Sequence, residues 1–177
     1  AAVFHFAEST LLQDSKRALV ATGNVTVQKA ALIGEAAILN GEPLVLAANP
    51  ALALNDTQGF TFSAWLKPGA AEGSLYQQGA VTISLAAGKL QFNNGSAVVA
   101  GGELKPGTWQ HVAVTVAGGK AVLYIDGTEV ANGAAGLPAV QDAVQIGNGY
   151  QGELDELELA SAARSAAWIK AAASGQS

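Results

Sequence analysis

Trp109–Glu129 reads WQHVAVTVAGGKAVLYIDGTE. Val112, Val114 and Val116 alternate with His111, Ala113 and Thr115, and after AGGK, Leu123 and Ile125 alternate with Val122 and Tyr124. Period-2 alternation of β-branched and aromatic residues predicts two strands. Gly118-Gly119 supplies the positive φ that a tight hairpin needs, and Asp126-Gly127 supplies it again for a shorter hairpin into Thr128–Val130. Both faces of the ribbon are partly apolar. That suits a strand pair packed inside a sandwich better than one on an isolated sheet.

The same pattern extends in both directions. Phe60–Lys67 alternates cleanly, with Phe60, Phe62, Ala64 and Leu66 on one face and Thr61, Ser63, Trp65 and Lys67 on the other. Short strands are also predicted around Val3–Phe6, Val25–Val27, Ala36–Leu39, Pro43–Leu46, Val81–Leu85, Lys89–Phe92, Ala143–Gly147 and Gly152–Ala160. Turn signals such as Asn40-Gly41, Asn93-Asn94-Gly95 and Pro106-Gly107 separate them. Only the tail has helical grammar: Ser165 can cap, Ala166–Ala173 are good helix formers, and Trp168, Ile169 and Ala172 share one side. About a dozen short strands with turns about every ten residues is the all-β sandwich pattern.

The 177 residues suffice for a single domain, with 174–177 reading as a tail. Half the residues are hydrophobic, mostly Ala, Val and Leu, and only 13% are charged, against about 25% in an ordinary soluble domain. The surface must therefore be rich in Ala, Gly, Ser, Thr, Asn and Gln. A formal charge of −5 with no Lys/Arg cluster argues against a nucleic-acid partner, because phosphate neutralisation needs such clusters. The absence of cysteine removes disulfides, thiolate metal sites and thiol nucleophiles together. No apolar run reaches the ~18 residues a spanning helix requires, so no direct membrane insertion is expected. Ala1-Ala2 and the lack of any methionine suggest a processed or excised chain.

Five segments in order carry a resemblance: FTFSAWLKP at Phe60–Pro68, GTWQHVAV from Gly107, VLYIDG ending at Gly127, VQIG at Val144–Gly147, and GELDELEL at Gly152–Leu159. The chain resembles a bacterial laminin-G-like domain of the concanavalin A-like lectin/glucanase superfamily, over nearly its whole length. The resemblance implies a jelly roll of two packed antiparallel sheets. It does not imply a single function, since such folds carry sugar-binding, protein-binding and spacer roles.

Three constellations bear on chemistry. Glu153, Asp155 and Glu158 echo the Glu-x-Asp-x-x-Glu motif of the superfamily's β-glucanases. Retaining chemistry needs two carboxyl groups about 5 Å apart on one face. On a regular strand Glu153 and Asp155 share a face while Glu158 falls on the other, so a bulge would be required. In the structural reading of the same stretch, Asp155 shares the inward parity of Leu157 and Leu159, and a buried carboxylate must be paired, hydrogen-bonded or bound to a cation. A hydrogen-bonded structural Asp155 is the first reading; the resemblance implies, as the second, a structural Ca²⁺ held by Asp155 with oxygens near Glu8 and Asn40. His5 and His111 read as packed or hydrogen-bonded strand histidines, and Trp65 and Trp109 as core or sheet-face residues. Tyr76 and Tyr150 fall in loop-like stretches and are the expected ligand-stacking residues.

The sequence thus predicts a non-catalytic binding or adhesion module for a glycan or protein ligand. It would sit beside other domains of a larger exported or cell-envelope protein. A structural spacer is the alternative, and a glycoside hydrolase built on Glu153, Asp155 and Glu158 the third reading.

Overall fold

The computed structural model describes residues 2–6, 13, 19–31 and 34–175. Among these the chain forms strands β1 (Ala2–Phe4), β2 (Ala21–Thr22), β3 (Thr26–Ala31), β4 (Gly34–Asn40), β5 (Leu44–Leu46), β6 (Phe60–Pro68), β7 (Gly73–Gln78) and β8 (Val81–Ala86). They are followed by β9 (Lys89–Asn93), β10 (Val98–Glu103), β11 (Gln110–Ala117), β12 (Lys120–Ile125), β13 (Thr128–Ala134), β14 (Val144–Ile146), β15 (Gln151–Ala160) and one helix, α1 (Ala166–Ser174). The strands build a β-sandwich jelly roll. One sheet has the order β13-β12-β11-β6-β15-β4-β3 with β1 added beside β15; the other runs β10-β9-β8-β7-β14-β5-β2. Every strand pairing is antiparallel. No described helix is long and apolar enough to cross a membrane.

The β11–β12 hairpin forms where its alternation predicts, with Val112, Val114 and Val116 opposite Ile125, Leu123 and Ala121. Asp126 and Gly127 both take positive φ, as the tight turn demands. The inner row of β6, Phe60, Phe62, Ala64 and Leu66, is buried between the sheets. Its outer row is buried as well: Thr61 is 0% exposed, Ser63 4% and Trp65 5%. The partly apolar outer face of the hairpin has the same explanation. Ser165 caps α1 by accepting from the Trp168 amide at 3.2 Å, and Ile169 packs onto Ala113 and Tyr124 with Val122 and Trp168 alongside. The helix is a third layer over one half of the eight-stranded sheet.

Tyr76 lies within β7, and Tyr150 sits in the connection between β14 and β15, but neither is available to a ligand. Both lie between the sheets, 1% and 0% exposed, and neither can stack on a ligand. Burial pushes both phenols well above their usual pKa, with the Glu153 carboxylate adding to the effect at Tyr150. Each hydroxyl has found a partner, as a buried phenol must. Tyr150 donates to the Glu153 carbonyl at 3.2 Å, and Tyr76 donates to Gln78 Oε1 at 2.8 Å. The Gln78 amide in turn donates to the Leu52 and Asp142 carbonyls at 3.1 and 2.8 Å, tying two loops to the core. Tyr76→Phe should leave Gln78 Oε1 without its donor and lower unfolding free energy by about 1–3 kcal/mol, measured by urea titration.

The outward face of the other sheet carries neither charge nor aromatic ring in its central row. Thr22, Val45, Gln145, Gln77, Thr82 and Asn93 stand side by side there, from β2 to β9.

Candidate functional site

β15 organises the site. It pairs with β6 along one edge, while its other edge is shared: Gln151–Leu154 pair with β4 and Leu157–Leu159 with β1. Between Asp155, opposite Trp65, and Glu158, opposite Ser63, β15 has one residue more than β6. The extra residue makes a β-bulge, and Glu156 takes φ +49 within it. The bulge resets the pleat. Leu157 and Leu159 still face the core, but Asp155 shares the outer face with Trp65, and Glu158 joins it there. The inward orientation expected for Asp155 from simple alternation is therefore incorrect.

Asp155 is nonetheless wholly buried. Its Oδ1 accepts the Glu156 amide at 2.8 Å, and its Oδ2 has no partner among the described residues. Desolvation pushes its carboxyl up to about 7; the neighbouring Glu156 carboxylate adds to this, while the Glu156 amide and His5 oppose it. His111, across β6, is 2% exposed with Nδ1 unpartnered. Burial lowers its pKa to about 4 against the pull of the Asp126 carboxylate, so it is neutral at physiological pH. Trp65 lies between the two, its ring edge-on to His111 at 5.5 Å between centroids.

A pocket of about 140 Å³ opens above this row. Trp65, His111 and Ser63 form its floor, Glu156 and Glu158 one side, and Trp168 with Ala172 of α1 the other. Glu156 Oε1 pairs with His5 Nδ1 at 2.7 Å, and Glu158 Oε1 with Arg164 at 2.8 Å. Arg164 also lies over the Trp168 ring, 4.9 Å from its centroid. The helix is held in place at its entry: Thr61 Oγ1 donates to the Ala162 carbonyl at 2.6 Å and accepts the Arg164 amide at 2.9 Å.

The calcium cage implied by the resemblance is not assembled. Asn40 stands opposite Gln151, four residues along β15 from Asp155, or about 13 Å at the usual strand rise. Its side chain accepts the Glu42 amide instead. Glu8 lies outside the described residues, and among those described no three His, Asp or Glu gather as a metal group. The glucanase arrangement is met only in part. The bulge does bring Glu153, Asp155 and Glu158 to one face, but Glu153 and Glu158 sit opposite Lys67 and Ser63, again about 13 Å apart along the strand. Separate ion pairs hold them, Glu153 to Lys67 at 2.9 Å and Glu158 to Arg164. A retaining pair would stand about 5 Å apart.

Sequence reasoning missed Ser63, Glu156, Arg164 and the pocket itself. The docking side of α1 was readable from Trp168, Ile169 and Ala172, but not the surface it covers.

The laminin-G family pattern of the concanavalin A-like lectin/glucanases superfamily matches residues 40–170. The chain belongs to that family. Among solved structures, this laminin-G-like domain is similar to domain 4 of AbnA, a GH43 extracellular arabinanase from Geobacillus stearothermophilus, in complex with arabinotriose. The TM-score is 0.78 at 21% identity, covering 97% of each chain. The binding domain of Paraclostridial Mosquitocidal Protein 1 superposes with a TM-score of 0.79 at 16% identity, over 98% of this chain and 51% of that one. A botulinum neurotoxin type C structure, described as dependent for cell entry on interaction with two ganglioside molecules, gives 0.74 at 12% identity, over 100% and 51%. The chain thus spans about half the length of the toxin chains it matches. At these identities the likeness is one of fold. Among curated proteins none matches in sequence.

Proposed function

We infer that this laminin-G-like domain is a non-catalytic binding module for a glycan or protein ligand. It would serve as one part of a larger exported or cell-envelope protein. The observation that carries the reading is the pocket between α1 and the β15 bulge. It joins two tryptophans to carboxylates that each keep an oxygen free of ion pairing among the described residues, on a packed sheet. Concave, partly apolar sites with a few convergent polar groups are where ligands bind. The neighbouring folds support the same reading, since arabinotriose and gangliosides are named for two of them.

The test is a glycan array and a pull-down from the domain's native surface, each run with calcium and with chelator, beside an assay for glycan hydrolysis. Specific binding without turnover is the expected result. Turnover that disappears in Glu158→Gln would replace this reading with the hydrolase. A structural spacer is the second reading, favoured by the uncharged, aromatic-free row from Thr22 to Asn93. Failure of both binding arms would leave it in place.

A further inference from the structure

The geometry points to the α1–bulge pocket as a site for a single ring of a neutral glycan, with acidic sugars excluded. This rests on the binding-module reading and assigns its ligand class and address.

The size is the first reason. At about 140 Å³ the pocket is close in size to an enclosed cavity of roughly 150 Å³ that holds a benzene, and because it is open above, it receives one larger sugar ring that stays partly outside. The sheet closes it below, and α1 and the acids of the bulge wall two sides, which leaves room for a single ring. Hydrogen-bonding capacity is the second. Among the described residues Glu156 and Glu158 each commit one oxygen to an ion pair, which leaves the other to accept. A site dominated by acceptors selects a guest that brings several donors, and the adjacent hydroxyls of a sugar ring are such donors. The walls are the third. Trp168 offers indole surface to the C–H face of a ring, Trp65 adds a narrow strip of indole on the floor, and Ser63 beside it serves a hydroxyl.

Charge sets the exclusion. Glu156 and Glu158 line the pocket, and the groups beside them are already engaged, Arg164 by Glu158 and the partly exposed His5 by Glu156. No cation among the lining residues is left to receive the carboxylate of a uronic or sialic acid. A buried or half-buried like-charge contact is costly at low effective dielectric.

Tryptophan fluorescence reads the pocket directly, because two of the three tryptophans line it. The domain is titrated with oligosaccharides ending in glucose, galactose, mannose or arabinose, and with counterparts ending in glucuronic or sialic acid. At least one neutral series should bind at least tenfold more tightly than its acidic counterpart. Ala172→Phe, which fills the pocket from the helix, should weaken that binding at least tenfold. Ala171→Phe, on the exposed side of the same helix, should leave it unchanged. Should Ala172→Phe disturb α1, Glu156→Gln carries the same test with at least a fivefold loss. Three results would overturn the assignment: neutral glycans bound equally by wild type and both pocket variants, acidic ends preferred, or no neutral glycan bound. The first leaves the module reading intact with its site elsewhere; loss of protein partners as well would end both.

Discussion

Gly73→Ala is expected to cost at least about 4 kcal/mol, enough to leave the domain unfolded or aggregated at room temperature. Gly73 opens β7 with φ +138, a conformation that L side chains rarely adopt. A Cβ there would lie 2.5 Å from Tyr150 Cα and 2.7 Å from both Gly149 O and Tyr150 N. All three are backbone atoms of the segment leading into β15, and a backbone so packed cannot step aside as a flexible side chain can. The displaced segment carries Tyr150 out of the core and disturbs the start of the strand that holds every acid of the pocket. Gly107→Ala is the control. It also has positive φ, +72, but no atom lies within 4 Å of its added carbon, so the cost should stay near the ~1–2 kcal/mol of a left-handed residue. Thermal and urea denaturation of the two variants separates close approach from backbone strain. Equal losses would show that the Gly73 contact contributes nothing of its own.

Asp155→Asn should stabilise the domain above neutral pH and lose that advantage in acid. The folded carboxyl titrates near 7, against an ordinary 3.8. Below about pH 3.8 both states hold the proton and the residue carries no charge penalty. Between the two values the folded state alone holds it, so stability falls as pH rises, and above 7 the full cost of a buried anion is present. A shift of this size corresponds to about 4 kcal/mol. Asparagine keeps an oxygen for the Glu156 amide but sets an NH₂ where Oδ2 has no partner, which returns about 1–3 kcal/mol of cost. The net expectation is a gain of about 1–3 kcal/mol at pH 8, shrinking to nothing or reversing by pH 4, read from Tm across that range. A variant less stable at every pH, with a calcium-dependent Tm in wild type that the variant lacks, would mean that a cation holds the carboxylate.

Within one strand, the sequence alone settled a good deal. The alternation in Val112–Val116 and Phe60–Leu66 named the strands and their core rows, because the pleat ties side-chain direction to residue parity. Asp126-Gly127 named its turn, since tight hairpins require positive φ, and Ser165 with Ala166–Ala173 named the helix. The five ordered motifs, with the family match over residues 40–170, settled the jelly roll.

Parity fails where the chain gains a residue without a signal, and Glu156 carries no turn chemistry that marks the bulge. One inserted residue moved Asp155 from the inner face to the outer and brought Glu158 round to join it. Tyr76 and Tyr150 look like loop residues beside Gln and Gly, yet hydrogen bonds to Gln78 and to the Glu153 carbonyl make their burial affordable. The pocket is the clearest tertiary product. Val3, Ser63, His111, Glu158 and Trp168 come from five separate stretches of chain. Local patterning orients each of them, but only the pairing of β1, β6 and β11 around β15, and the return of α1 over that sheet, sets them against one another.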